Sequence, residues 1–95
     1  MPDRLSEEEV ENALIELPEW ELQGRDIVRV YELKNFGESI EFVNAVAALA
    51  EAANHHPDID IRWNKVRVKL STHSKGGLTK LDFNLAEKLD AALLD

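Results

Sequence analysis

Glu51, His55, His56, His73 and Asp82 are side chains suited to moving protons, and they fall within one stretch of this chain. All three histidines of the protein lie between Glu51 and Asp82. Histidine changes charge near neutral pH, so it is the side chain most readily used as acid or base there. His55 and His56 are adjacent and Pro57 follows them. Proline disfavours helical dihedrals at the preceding residue, so His56 should stand where a helix gives way to extended chain. Glu51 precedes His55 by four positions, a spacing that puts two side chains on one helical face. Glu51 is therefore expected to orient His55, favouring its imidazolium and setting its tautomer. A zinc site is a rival reading, but there is no cysteine and the spacing is neither HxxxH nor HExxH. Neighbours in extended chain also point apart, which makes joint chelation by His55 and His56 awkward. Proton transfer without a metal is the reading these residues support, with an ordinary structural role as its alternative.

The elements that must position these groups can be read in order. Ser6-Glu7-Glu8-Glu9 is a capping box, with Leu5 and Val10 at the staple positions around it. Val10, Ala13, Leu14 and Leu17 form an apolar stripe, and Pro18 should end this first helix near Leu17. Trp20-Glu21-Leu22 and Ile27 to Leu33 read as strands around a Gly24-Arg25-Asp26 turn. The second has apolar residues on both faces, with Val28 and Val30 on one and Ile27, Tyr31 and Leu33 on the other. A sheet covered on both sides is expected, with a second subunit as one possible cover. Asn35 and Glu38 form a second capping box. The helix it opens carries Phe42, Val43, Val46, Leu49, Ala50 and Ala53 at helical spacing. That helix delivers Glu51 and Asn54 to the His-His-Pro turn.

Residues 59–63 and 66–70 alternate, which predicts a hairpin with a two-residue loop at Asn64-Lys65 and a positive φ at Asn64. The first strand leaves His55-His56-Pro57 and the second arrives at Thr72-His73. Antiparallel pairing then brings all three histidines to one edge of the sheet. Ser74-Lys75-Gly76-Gly77 is a loop, and Thr79 to Asp82 opens a last helix buried through Leu81, Leu85, Leu89, Ala92 and Leu93. Asp82 occupies the third helical position, where capping is its ordinary role. The order α-β-β-α-β-β-α predicts an α+β domain over residues 1–95. Its form should be a single four-stranded antiparallel sheet with three helices packed on one face.

Composition narrows the function classes. At 95 residues and 44% hydrophobic content, the chain is one folded domain with a modest core. Its formal net charge of −8 disfavours direct nucleic-acid binding. The nearest basic run, Arg62, Lys65, Arg67 and Lys69, alternates like the solvated face of a strand. No secretory leader pattern stands at residues 1–9 and no apolar run approaches a membrane span, so a cytoplasmic location is expected.

Taken together, Glu51, His55-His56-Pro57, Trp63, His73 and Asp82 resemble the signature of the pterin-4a-carbinolamine dehydratases. The resemblance extends to Trp20, Gly24-Arg25-Asp26, Ser71-Thr72-His73 and Gly77-Leu78-Thr79. Asn54 stands where some relatives have Asp, and Trp63 where many have Tyr. The resemblance implies dehydration of a 4a-hydroxytetrahydropterin to the quinonoid dihydropterin, with the pterin as substrate and no cofactor or metal. It makes His55, His56, His73 and Glu51 catalytic. Trp20, Asn54, Pro57, Ser71, Thr72, Ser74 and Asp82 would be substrate-binding. It also implies a homodimer or homotetramer and a link to an aromatic amino acid hydroxylase pathway. A non-catalytic dimerisation or transcriptional coactivator module of the same fold is the alternative. Alanine at any of the three histidines is expected to slow the reaction and leave the fold intact.

Overall fold

The computed structural model describes residues 3–93. Met1 and Pro2 of the stretch read for a leader, and the two C-terminal residues of the expected domain, lie outside the described residues. Three helices and four strands follow the predicted order: α1 (Glu7–Ile15), β1 (Glu21–Gln23), β2 (Asp26–Glu32), α2 (Phe36–Ala53), β3 (Asp58–Arg62), β4 (Lys65–Leu70) and α3 (Lys80–Leu93). A 3-10 turn, His73–Lys75, lies between β4 and α3. The sheet is antiparallel throughout, in the order β1-β2-β4-β3.

Local chemistry explains the helix starts. At α1 the capping box is complete: Ser6 Oγ accepts the Glu9 amide at 3.1 Å and Glu9 accepts the Ser6 amide at 2.9 Å. At α2 only half of the expected box forms, with Asn35 Oδ1 accepting the Glu38 amide at 2.8 Å. Helix α1 ends two residues earlier than the Pro18 rule predicts. There the Glu16 and Leu17 amides bond to Ala13 and Leu14, three residues back, and this tighter winding turns Leu17 into the core.

Strand alternation sorts the sheet into an inner and an outer face. Ile27, Tyr31, Val66, Val68 and Leu70 point inward, where Phe42, Val46 and Ala50 of α2 and Phe83, Leu85 and Leu89 of α3 join them in one core. The outer face carries Lys65, Arg67 and Lys69 of β4 beside Asp58, Asp60 and Arg62 of β3. Val28 on that face is buried without a second subunit. Arg67 donates to Gln23 at 3.1 Å, and this bond from β4 to β1 crosses β2 over Val28. Val30 alone of the outward pair is left open, at 53% exposure.

The hairpin differs from expectation by one residue. Its loop is Trp63-Asn64, Lys65 already pairs with Arg62, and the positive φ of 57° falls on Trp63. The reason is a tie to Leu33, the residue after β2. The Asn64 carbonyl accepts the Leu33 amide at 2.7 Å and its Nδ2 donates to the Leu33 carbonyl at 3.1 Å. Asn64 is held by both bonds, so the left-handed conformation passes to its exposed neighbour.

Candidate active site

Three chain segments converge at the end of the sheet where Asp58 pairs with Lys69. The first is the turn after α2. Asn54 adopts the left-handed conformation at φ 49° and ψ 44°, which short polar side chains tolerate better than most. Its amide bonds back to Ala50 and Glu51, and the His55 amide bonds to the Ala50 carbonyl at 3.1 Å. The chain thus reverses before His55, which turns inward and is only 9% exposed.

The second segment follows β4, and the third is the start of α3. Asp82 is at the third position of α3 and fully buried. Its Oδ2 accepts the Thr79 amide at 2.9 Å and the Thr72 hydroxyl at 2.8 Å. Its Oδ1 meets His55 Nε2 at 2.5 Å. Asp82 therefore caps α3, as its position predicts, and also anchors a histidine. With Nε2 engaged, a neutral His55 ring carries its proton there and leaves Nδ1 as the basic nitrogen.

Glu51 pairs with His56, not with His55 as helical spacing suggested. The i,i+4 rule needs the helix to continue through both residues, and the left-handed turn at Asn54 ends it. Both partners of this second pair are open to solvent, with side chains 58% and 75% exposed.

His73 stands directly after Thr72, in the 3-10 turn, and is exposed. It lines an open cavity of about 330 Å³ with Arg25, Asp26, Ser71, Gly76 and Gly77. His55 and His56 do not line that cavity. The structure thus brings His55, Asp82 and Thr72 into one network, with His56 and Glu51 at its outer side and His73 one residue beyond Thr72. Asn54 and Ser74 are exposed and Pro57 and Ser71 half-buried around this edge. Among the described residues, no group of three or more histidine and acidic side chains is placed to hold a metal ion.

Three of the residues expected to contact the ligand, Trp20, Thr72 and Asp82, are buried. Thr72 is 6% exposed with its hydroxyl committed to Asp82, and Asp82 is fully buried with Oδ1 on His55. Trp20 is a core residue: its ring meets Tyr31 edge-on, and its Nε1 donates to Asp90 at 3.1 Å. Asp90 also accepts the Tyr31 hydroxyl at 2.5 Å and pairs with Arg29 at 2.9 Å. Burial pushes the Tyr31 phenol up, and the Asp90 hydrogen bond and charge push the same way against a weaker opposing effect of Arg29. The sequence reading missed this hub, because the partners of Asp90 are distant in sequence: Arg29 and Tyr31 of β2, and Trp20 just before β1. It also missed Arg25 as a wall of the His73 cavity, although Arg25 lies in the turn that carried part of the resemblance.

Comparison with known proteins gives the same answer as the motif. The family model described as Pterin 4 alpha carbinolamine dehydratase matches residues 3–92. A relative from Chloroflexus aurantiacus named for pterin-4-alpha-carbinolamine dehydratase is 55% identical over 87 residues, covering 92% of this chain and 94% of its own. One of the same name from Thermomicrobium roseum is 52% identical over 86 residues, covering 90% and 92%. A crystal structure from Brucella melitensis, described as a transcriptional coactivator/pterin dehydratase, superposes with a TM-score of 0.90 at 38% identity, covering 95% of this chain and 98% of that one. A pterin dehydratase-like RuBisCO assembly factor of the alpha-carboxysome shares the fold, with a TM-score of 0.66 at 24% identity over 77% of this chain and 87% of its own. On these matches, the chain belongs to the pterin-4-alpha-carbinolamine dehydratase family.

Proposed function

We propose that this protein dehydrates a 4a-hydroxytetrahydropterin to the quinonoid dihydropterin and water, using histidines as general acid and base. The ring nitrogen next to C4a donates its lone pair as the C4a–O bond breaks. One proton goes to the departing oxygen and one leaves that nitrogen, so atoms and charge balance. Positioned acid–base groups contribute about 10²–10⁴ in rate to such steps. The observation that carries the reading is the buried network in which the Asp82 carboxylate holds His55 through one oxygen and, through the other, accepts the hydroxyl of Thr72, the residue before His73. His56, paired with Glu51, and His73 are the other candidate proton carriers. Asn54, Pro57, Ser71 and Ser74 rim the same edge and would contact the pterin ring. The reaction needs no resident metal or coenzyme in this reading.

The test is a dehydration assay on freshly generated 4a-hydroxytetrahydrobiopterin, run with and without chelator. Acceleration insensitive to chelator is expected. No acceleration over the spontaneous reaction would leave the non-catalytic interaction module, which the likeness to the Brucella melitensis protein also makes reasonable. A homodimer or homotetramer is part of the proposal, and light scattering that reports a monomer at micromolar concentration would remove it.

A further inference from the structure

Asp82 is held by a one-directional run of hydrogen bonds. A carboxylate oxygen can only accept, so the Thr72 hydroxyl at 2.8 Å donates to Asp82 Oδ2. That uses its one proton, so in the 2.8 Å contact between the two threonine hydroxyls the donor is Thr79. Thr79 Oγ1 in turn accepts the Leu81 amide at 3.2 Å. The run is therefore Leu81 amide to Thr79 hydroxyl to Thr72 hydroxyl to Asp82, and Thr72, Thr79 and Asp82 are all buried. With the Thr79 amide also on Oδ2, the carboxylate cannot rotate without breaking these two bonds and the one to His55. Only Oδ1 is left to face His55.

We propose that Thr72 is a positioning residue for the dehydration. Its hydroxyl, aimed by Thr79, locks the rotation of Asp82 so that neutral His55 keeps its proton on Nε2 and offers Nδ1 to the pterin. The inference rests on the dehydratase reading for its kinetic part only. Thr72 also shapes the neighbouring segment. Its amide donates to the Gly77 carbonyl at 2.9 Å and its carbonyl accepts the Lys75 amide at 2.9 Å, which closes the loop carrying His73. One residue therefore joins the two histidine-bearing segments.

The experiment compares wild type with Thr72→Ser and Thr72→Val by steady-state kinetics and by ¹⁵N NMR of the imidazoles at a pH where His55 is neutral. Thr72→Ser keeps the hydroxyl and should retain the Nε2–H tautomer and kcat to within about 3-fold. Thr72→Val removes one hydrogen bond to a charged group, so kcat should fall on the order of 10-fold or more with KM nearly unchanged. His55 should then show a mixture of tautomers. A rise in KM at constant kcat would make Thr72 a ligand contact and overturn the proposal, as would an unchanged tautomer in Thr72→Val. If Thr72→Val does not fold, Thr79→Val removes the hydroxyl that feeds Thr72. A smaller tautomer change in the same direction supports the proposal there, and none overturns it. A wild-type protein without dehydratase activity refutes the catalytic reading alone, since the tautomer still reports on positioning.

Discussion

His55 and His56 are consecutive, and each meets a carboxylate, yet the two pairs sit in opposite environments. The His55–Asp82 side chains are 10% and 0% exposed, whereas those of His56–Glu51 are 58% and 75% exposed. An exposed pair is screened by water and salt and contributes about 0–1 kcal/mol. A buried pair contributes through geometry, and removing one partner strands the other without water. The same residue types therefore carry different obligations: His55 is tied into the fold through a buried carboxylate, and His56 is not. The Asp90 hub, with Arg29, Tyr31 and Trp20, is an intermediate case in which a carboxylate 24% exposed on its side chain joins α3 to the sheet.

The largest expected effect is on catalysis through the buried pair. Asp82→Asn keeps the shape, but with its one oxygen held by the Thr79 amide and Thr72 hydroxyl it turns a donor toward His55, and kcat should fall by about 10² or more. Glu51→Gln should cost about 10-fold or less. Equal losses in the two variants would mean that burial does not distinguish the pairs.

Stability should divide the same way. His55→Ala strands a fully buried carboxylate and should lower unfolding free energy by about 3–5 kcal/mol, read from urea melts. His56→Ala should stay within about 1 kcal/mol. The same melts test the expectation that the fold survives removal of each of the three histidines. A small loss at His55 would show that water reaches Asp82 readily.

Alkaline titration probes the intermediate case. The Tyr31 phenol is raised in the folded state, so above the ordinary tyrosine value of 10.0 the unfolded chain loses its proton first. Stability from Tyr31 is then complete below that pH and declines as pH rises beyond it. Tyr31→Phe should be less stable at pH 8 by about 1–3 kcal/mol and should lose less on going to pH 11. Parallel profiles for the two proteins would remove Tyr31 as the cause.

The smallest effect belongs to a wholly exposed site. The Ser6 amide and hydroxyl hold the Glu9 carboxyl below its ordinary value of 4.5. Its stabilisation is therefore present above that pH and lost as pH falls through the lowered value. Glu9→Gln should slightly flatten the acid limb of a thermal melt series, and an unchanged limb would show that this cap contributes nothing measurable.

Much of the molecule was legible in local pattern. Helical and strand periods, two caps and Pro57 are properties of a few neighbouring residues, so element order, inner-face residues and the convergence of the 55–57 and 71–73 segments follow from sequence. The capping role of Asp82 was equally local, since it needs only Thr79 three residues before it. What the tertiary structure alone decided is where each side chain points once the pattern breaks. The left-handed turn at Asn54 gave His55 to Asp82, 27 positions away, and left Glu51 for His56. The tie from Asn64 to Leu33 moved the hairpin loop onto Trp63, and the reach of Arg67 to Gln23 covered Val28 from within the chain. Each of these choices depends on partners distant in sequence, and a periodic pattern holds no information about which distant group arrives.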